Sequence, residues 1–411
     1  MEMAFKRSAV AALAASATLM GGYVAAAAPT ASASSTLVVW SYLTQPEVTV
    51  LQNAANAWGK ATGNTVKVVL STSSFQAFAT AAHSGQGPDM VFGIPDDNLG
   101  PFWAAQLLAK VPAGTINTKN YGQAALNATR FSGVQYGVPI DLETYALFYN
   151  KALVKTPPTT FAQLFQDAKA LDAKAKYSGF EYDVNNFYYS YAFLSGFGGY
   201  VFGGKNGNLN ASDIGLGNAG AVQGFAFIRS FITQGFMPPD ITGSIADANF
   251  AHGKLGFIID GPWDISTYQK AGVKFGIVPL PTLPNGKHPG SFFGTQAAFV
   301  SSTVSPAQQA LAWDLMKFLV QDTTKSLLKA GNRIPALAPA QSAALKEDPL
   351  LQAFIDQSKW AQPMPNIPQM SAVWTPGANA LTLVTKGAET PAQAGKNLVT
   401  QVKAGVAQMQ G

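Results

Sequence analysis

Two tryptophans of this 411-residue chain stand where a flat aromatic face could be fixed in place. In MPNIPQMSAVW, Met364 to Trp374, the prolines Pro365 and Pro368 fix their own φ and push the residues before them toward extended backbone. The stretch is expected to be a rigid, non-helical lead-in to a helix starting near Ser371, with Trp374 on its first turn. In FIIDGPWDIS, Phe257 to Ser266, an apolar strand precedes Asp260 as the expected N-cap, Pro262 near N1 and Trp263 on the first turn. Each ring could plug a core or serve as a platform, and the local sequence leaves both open. A platform suits carbohydrate, because aromatic faces cover the C–H faces of sugar rings while planar polar groups bridge neighbouring hydroxyls.

The carboxylates permit a rival chemistry. Asp96-Asp97 and Asp141-x-Glu143 are acidic pairs, and a glycosidase needs two carboxylates facing one bond, although such pairs also serve as turns and caps. The tyrosines of YYSY, Tyr188, Tyr189 and Tyr191, could suggest an iron site, but core packing is expected for at least two. His83, His252 and His288 are scattered, there is no cysteine, and no H-x-x-x-H spacing offers a metal cage. Neither a G-x-S-x-G elbow nor a phosphate-binding P-loop occurs, and GGYVFGGKNG reads as a turn-rich hairpin. No catalytic residue, metal or cofactor is expected.

Composition narrows the setting. Lys6 and Arg7 precede an alanine-rich apolar run, Ser8 to Ala28, and then Ala31 and Ala33 in A-x-A spacing, so residues 1–33 read as an export signal cleaved after Ala33. Without cysteine there is neither a disulfide framework nor a lipid-modified N-terminal cysteine, and a soluble mature protein outside the cytoplasm is expected. The net charge of +5 is spread along the chain without a basic run, which argues against nucleic acid. Charged residues make up 12%, well below the usual share. Adaptation to acid is one reading of that scarcity, since fewer native-state carboxylates then need to stay ionised.

The elements that must position these residues alternate. Thr36–Ser41, Thr65–Leu70 and Met90–Ile94 read as buried strands separated by helices at Gln45–Lys60, closed near Gly63, and Phe75–Ala82. That order is the signature of an α/β layer with a parallel sheet. Further helices are expected over Phe161–Lys174, Phe187–Phe197, Ala219–Thr233, Ser305–Val320, Leu350–Lys359 and Pro391–Ala407. At this length two domains are expected, and no repeat or low-complexity linker marks the boundary between them.

The motifs LVVW, GQGPDMVFG, YGVPIDLETYALFYNKALV, GGYVF, GNAGAVQGF, DGPW, VPLPT and MPNIPQMSAVW resemble, in order, the maltose and maltodextrin binding proteins of extracellular solute-binding family 1, over nearly the whole mature chain. The resemblance implies an α/β, two-lobe periplasmic-binding-protein fold (type II) with a ligand cleft between the lobes. The N-lobe would hold residues 34–141 and 297–345, the C-lobe residues 142–296 and 346–411, with hinges near Leu142, Gly294 and Glu347. It implies capture of a malto-oligosaccharide by a monomer and delivery to the membrane permease of an ABC importer. By resemblance, Trp263 and Trp374 stack on sugar, Tyr188 is a third aromatic contact, and Asp96 and Glu143 accept hydrogen bonds from hydroxyls. The chain departs from enteric members at Gly93, where they carry a tryptophan, and at Asp97, where they carry a basic residue. It departs again at Thr44 and Gln45, in place of an Asp-Lys pair, and at Asn186, in place of a glutamate. The stacking floor is thus kept while the polar side is rewritten. Another oligosaccharide or small solute, or a secreted glycosidase, are the alternatives.

Overall fold

A seven-stranded sheet carries one half of the site, in the order Ile334–Pro335, Val138–Glu143, Phe292–Val300, Met90–Pro95, Thr36–Ser41, Thr65–Leu70, with Gln362–Pro363 joined to Phe292–Val300. The computed structural model describes residues 34–205 and 208–409. The expected export signal over residues 1–33 lies outside them. Thr36–Ser41 pairs in parallel with Thr65–Leu70 and with Met90–Pro95, as the alternating pattern predicts. The sheet as a whole is mixed, which corrects the parallel reading: Phe292–Val300 runs antiparallel to both Met90–Pro95 and Val138–Glu143. That strand is buried along eight of its nine residues, so no alternation of buried and exposed positions along it marks it as antiparallel.

Apolar spacing explains the helix on this sheet. Gln45–Thr62 buries Val48, Leu51, Ala55 and Trp58, one face of a helical repeat, and Trp58 Nε1 donates to Asp314 Oδ2 at 2.8 Å on the long helix Pro306–Gly331. That long helix runs well past Val320, where the sequence pattern ends it, because Thr323 and Leu327 stay buried beneath a polar outer face. The helix expected over Leu350–Lys359 is shorter, a 3-10 turn at Pro349–Leu351 followed by Gln352–Gln357.

A second, four-stranded sheet orders Phe275–Val278, Ala146–Asn150, Leu255–Asp260 and Ser178–Glu181. Its core is aromatic: Phe161, Phe193, Phe227 and Phe231 meet edge-to-face or stacked, and Tyr191 lies flat on Phe292 with centroids 3.8 Å apart. Two buried clusters surround the first sheet and a larger one surrounds the second, and the described residues from Ser35 onward together form one compact unit. The hairpin expected in GGYVFGGKNG is present as Gly203–Lys205 against Asn208–Asn210. Among the described residues no helix is long and apolar enough to cross a membrane.

Candidate functional site

Strands deliver the functional side chains from their carboxyl ends, where open α/β sheets place their crevices. The strand Thr36–Ser41 is followed by Tyr42 and Thr44, Met90–Pro95 by Asp96 and Asp97, Ser178–Glu181 by Asn186 and Tyr188, and Leu255–Asp260 by Trp263. A cavity of about 670 Å³ opens among these ends, lined by Thr44, Asp97, Glu143, Asn186, Tyr188, Trp263 and Trp374, and also by Tyr42, Gln296 and Arg333. Its volume is in the range of ligand sites. Seven of the nine residues singled out from sequence therefore meet. Gln45 is exposed on the first turn of its helix, and Asp96 turns inward, 2% exposed; neither lines the cavity.

The reason for the second exclusion is local. In the 3-10 turn Asp96–Asn98, Asp96 Oδ1 accepts from the Thr295 amide at 2.8 Å, tying the turn to the neighbouring strand. Its neighbour Asp97 is left facing the cavity and accepts from Trp374 Nε1 at 2.9 Å. Burial pushes the Asp96 carboxyl well above the usual carboxylate range, and pushes Asp97 up to about 7.

Both tryptophans are half-buried, neither free nor sealed in a core. Trp374 opens the helix Trp374–Thr385 after the 3-10 turn Pro368–Ala372, and its ring meets the edges of Phe187 and Phe292 at 6.1 and 5.9 Å. The lead-in is anchored by Asn366, whose Nδ2 donates to the carbonyls of Asn127 and Ala128, each at 3.0 Å. Trp263 lies in the 3-10 turn Pro262–Asp264 and packs over the backbone before it: a Cβ on Gly261 would come within 2.1 Å of the indole. The N-cap is Gly261, not Asp260. Asp260 is drawn away because its carboxylate accepts from Tyr268 at 2.5 Å, from Tyr189 at 3.3 Å and from the Gly261 amide at 2.7 Å. Tyr189 and Tyr191 are thus spoken for by protein, and Tyr188 alone of the three lines the cavity, 6.4 Å from Trp263.

Asn186 caps the helix Phe187–Gly196, its Oδ1 accepting from the Tyr188 amide at 3.0 Å, so it fixes the tyrosine as well as lining the wall. Thr44 donates through both its amide and its hydroxyl to Glu47 Oε2, at 2.9 and 2.7 Å. Gly93 has φ +77°, and a Cβ there would lie 2.3 Å from Leu43 Cδ2, so no tryptophan fits at this strand end.

Arg333, like Tyr42 and Gln296, lines the cavity but is missed by the sequence reading. Its guanidinium, 6% exposed, pairs with Glu47 at 2.7 Å and with Glu143, and lies 3.9 Å from Asp141. Gln296 Nε2 donates to the other Glu143 oxygen at 2.8 Å. Burial pushes the Asp141 and Glu143 carboxyls up against the pull of the arginine, whereas at Glu47 burial is outweighed by the arginine's charge and hydrogen bond together with the hydrogen bonds from Thr44, which hold the carboxyl low. Three buried polar atoms of lining residues, Tyr42 Oη, Tyr188 Oη and Gln296 Oε1, have no hydrogen-bond partner among the described residues, and native structures satisfy such atoms with water or ligand.

A second acidic group lies apart. Oxygens of Asp247, Asp260 and Asp264 fall within 4.8 Å of one another, and burial, aided by the neighbouring Asp264, pushes Asp247 up to about 7.

Comparison with known proteins follows this geometry. The family described as bacterial extracellular solute-binding protein matches residues 53–353. A galactooligosaccharide-binding protein of Bacillus subtilis is 33% identical over 378 residues, covering 89% of this chain and 88% of its own. A maltooligosaccharide ABC transporter solute-binding lipoprotein of Streptococcus pneumoniae is 34% identical over 378 residues, covering 88% of this chain and 87% of its own. The X-ray structure of the maltose-maltodextrin binding protein of the thermoacidophilic bacterium Alicyclobacillus acidocaldarius superposes with a TM-score of 0.84 at 41% identity, covering 90% of this chain and 100% of the other.

Proposed function

Because the chain belongs to the bacterial extracellular solute-binding proteins, we propose that it captures malto-oligosaccharides outside the cytoplasm and hands them, chemically unchanged, to the permease of an ABC importer. The observation that carries this reading is the cavity itself. Trp263, Trp374 and Tyr188 supply aromatic faces, and Tyr42, Tyr188 and Gln296 supply buried polar atoms without protein partners. A sugar offers the matching surfaces, C–H faces for the rings and hydroxyls for the polar atoms. Glu143, Asn186 and Thr44 line the polar side beside Asp97, while Asp96, bound to the Thr295 amide, holds the turn that carries Asp97 and the exposed Gln45 takes no part.

The two sheets are read as the centres of two lobes, residues 34–141 with 297–345 and residues 142–296 with 346–411, closing about Leu142, Gly294 and Glu347 on a bound sugar. Residues 1–33 are read as the export signal, and the working unit as a monomer. Catalysis is not part of this reading: both Glu143 oxygens are engaged by Arg333 and Gln296, and both Asp97 oxygens by Trp374 and Asn98, so each lining carboxyl is held by protein donors instead of poised as a glycosidase acid. The name of the Bacillus subtilis relative favours one second reading, a galacto-oligosaccharide ligand.

A thermal-shift screen over maltose, maltotriose, longer maltodextrins and galacto-oligosaccharides tests the assignment, since a ligand that binds only the folded protein raises its melting temperature. The largest shift is expected from a maltodextrin of three or more units. A shift confined to galacto-oligosaccharides would install the second reading, and no shift with any oligosaccharide would overturn both.

A further inference from the structure

Asp97 occupies the place where the resemblance calls for a basic residue, and its surroundings give it a different task. Its Oδ2 accepts from Trp374 Nε1 at 2.9 Å and its Oδ1 from Asn98 Nδ2 at 3.0 Å, so each carboxylate oxygen already has a protein donor. Asp97 is 6% exposed, and it lines the same cavity as the indole it binds. The two residues come from elements 277 positions apart in sequence, the turn Asp96–Asn98 and the start of the helix Trp374–Thr385. An indole has one polar handle and it only donates, which a lysine or arginine at this position could not receive.

We propose that Asp97 is a positioning residue, whose carboxylate holds the Trp374 ring in the plane that faces the sugar instead of contacting sugar itself. The proposal rests on the sugar-binding reading of the cavity. Phe187 and Phe292 touch the indole edge-on or tilted, at 80° and 60°, and so confine it without defining its rotation. The hydrogen bond supplies that missing restraint. Above about pH 7, where the buried Asp97 carboxyl is ionised, negative charge at the N–H edge also enriches the electron density of the ring face, strengthening its attraction for the electropositive C–H face of a sugar. The exchange of a cation for an aspartate therefore moves the polar group at this position from the ligand to the platform.

The test uses the full chain with Asp97→Leu, Asp97→Asn and Trp374→Phe, singly and combined. In sugar-free protein, the near-ultraviolet circular dichroism assigned to Trp374, taken as the difference between parent and Trp374→Phe, changes in Asp97→Leu and is kept in Asp97→Asn, whose amide oxygen still accepts. Maltotriose affinity falls roughly tenfold in Asp97→Leu, the loss expected for one charge-assisted bond. In the Trp374→Phe background the same substitution changes affinity by no more than about twofold, because its partner is already gone. An equal tenfold loss in that background would show Asp97 contacting sugar directly and overturn the proposal, as would an indole band indifferent to Asp97→Leu. If the parent itself binds no sugar, the functional reading fails, while the indole band still decides the positioning role.

Discussion

Arg333 Nε lies 2.7 Å from Glu47 Oε1, joining residues 286 positions apart in the chain, and the same guanidinium meets Glu143 at the cavity wall. One cation thereby ties the start of the helix Gln45–Thr62 to the end of the strand Val138–Glu143, through groups almost wholly out of water. Replacing Arg333 by Met removes the cation and leaves its carboxylates buried, which costs about 3 to 5 kcal/mol at neutral pH. Chemical denaturation should show a clearly smaller loss at pH 4, where those carboxyls take up protons. An equal loss at both pH values would show that the residue matters for its packing alone.

Trp374→Ala separates platform from plug. Loss of an aromatic face against a ligand is worth on the order of 2 to 4 kcal/mol, a fall in affinity of roughly 30- to 1000-fold. Because the ring is only half-buried against Phe187 and Phe292, the sugar-free melting point should fall by less than a full core truncation requires, ~3 to 5 kcal/mol. Titration calorimetry and a sugar-free melt measure both; tight binding by a strongly destabilised mutant would return Trp374 to core filling.

Gly261→Ala should injure binding more than folding. The added methyl would lie 2.1 Å from the Trp263 indole, and the ring, being half-buried, can swing aside. Affinity for maltotriose should drop about tenfold or more, on the scale of an aromatic contact, while stability changes by about 1 kcal/mol. Undiminished affinity would remove Trp263 from the sugar platform.

Stability should rise on mild acidification. Burial pushes Asp97 and Asp247 up to about 7, and Asp96 and Asp260 well above their ordinary value. Between about pH 4 and pH 7 the folded protein keeps protons that the unfolded chain has released, so this contribution is complete below the unfolded pKa and is lost as pH rises through the folded one. Glu47, held low by Arg333, acts in the opposite sense and loses its contribution only as pH falls below about 4.5. The melting temperature at pH 5 should therefore exceed that at pH 8, and Asp97→Asn should reduce the difference. A steady fall in melting temperature from pH 8 to pH 5 would contradict this account of the buried carboxyls.

Much of this was legible where the physics is local. Apolar pattern placed Thr36–Ser41, Thr65–Leu70 and Ala219–Thr233 at their observed bounds, and two prolines announced the lead-in to Trp374, although Pro368–Ala372 winds into a 3-10 turn where a non-helical stretch is expected and the α-helix starts only at Trp374. What stayed hidden depends on distant partners. Nothing beside Asp96 and Asp97 tells which carboxylate turns inward, because the choice is made by the amide of Thr295, 199 residues away. Asp260 has the sequence context of a helix cap, but Tyr189 and Tyr268, distant in sequence or hidden by the fold, bind its carboxylate instead. Arg333 sits in the two-residue link between the helix Pro306–Gly331 and the strand Ile334–Pro335, and only the folded chain surrounds it with Glu47, Asp141 and Glu143.

Incubating the purified chain overnight with a slight excess of maltotriose, then measuring both retained sugar and new reducing ends, tests the central claim most directly. The account predicts one maltotriose held per chain and no increase in reducing ends. Steady release of reducing ends by the parent protein, or no retention of maltotriose at concentrations well above those at which solute-binding relatives work, would contradict it.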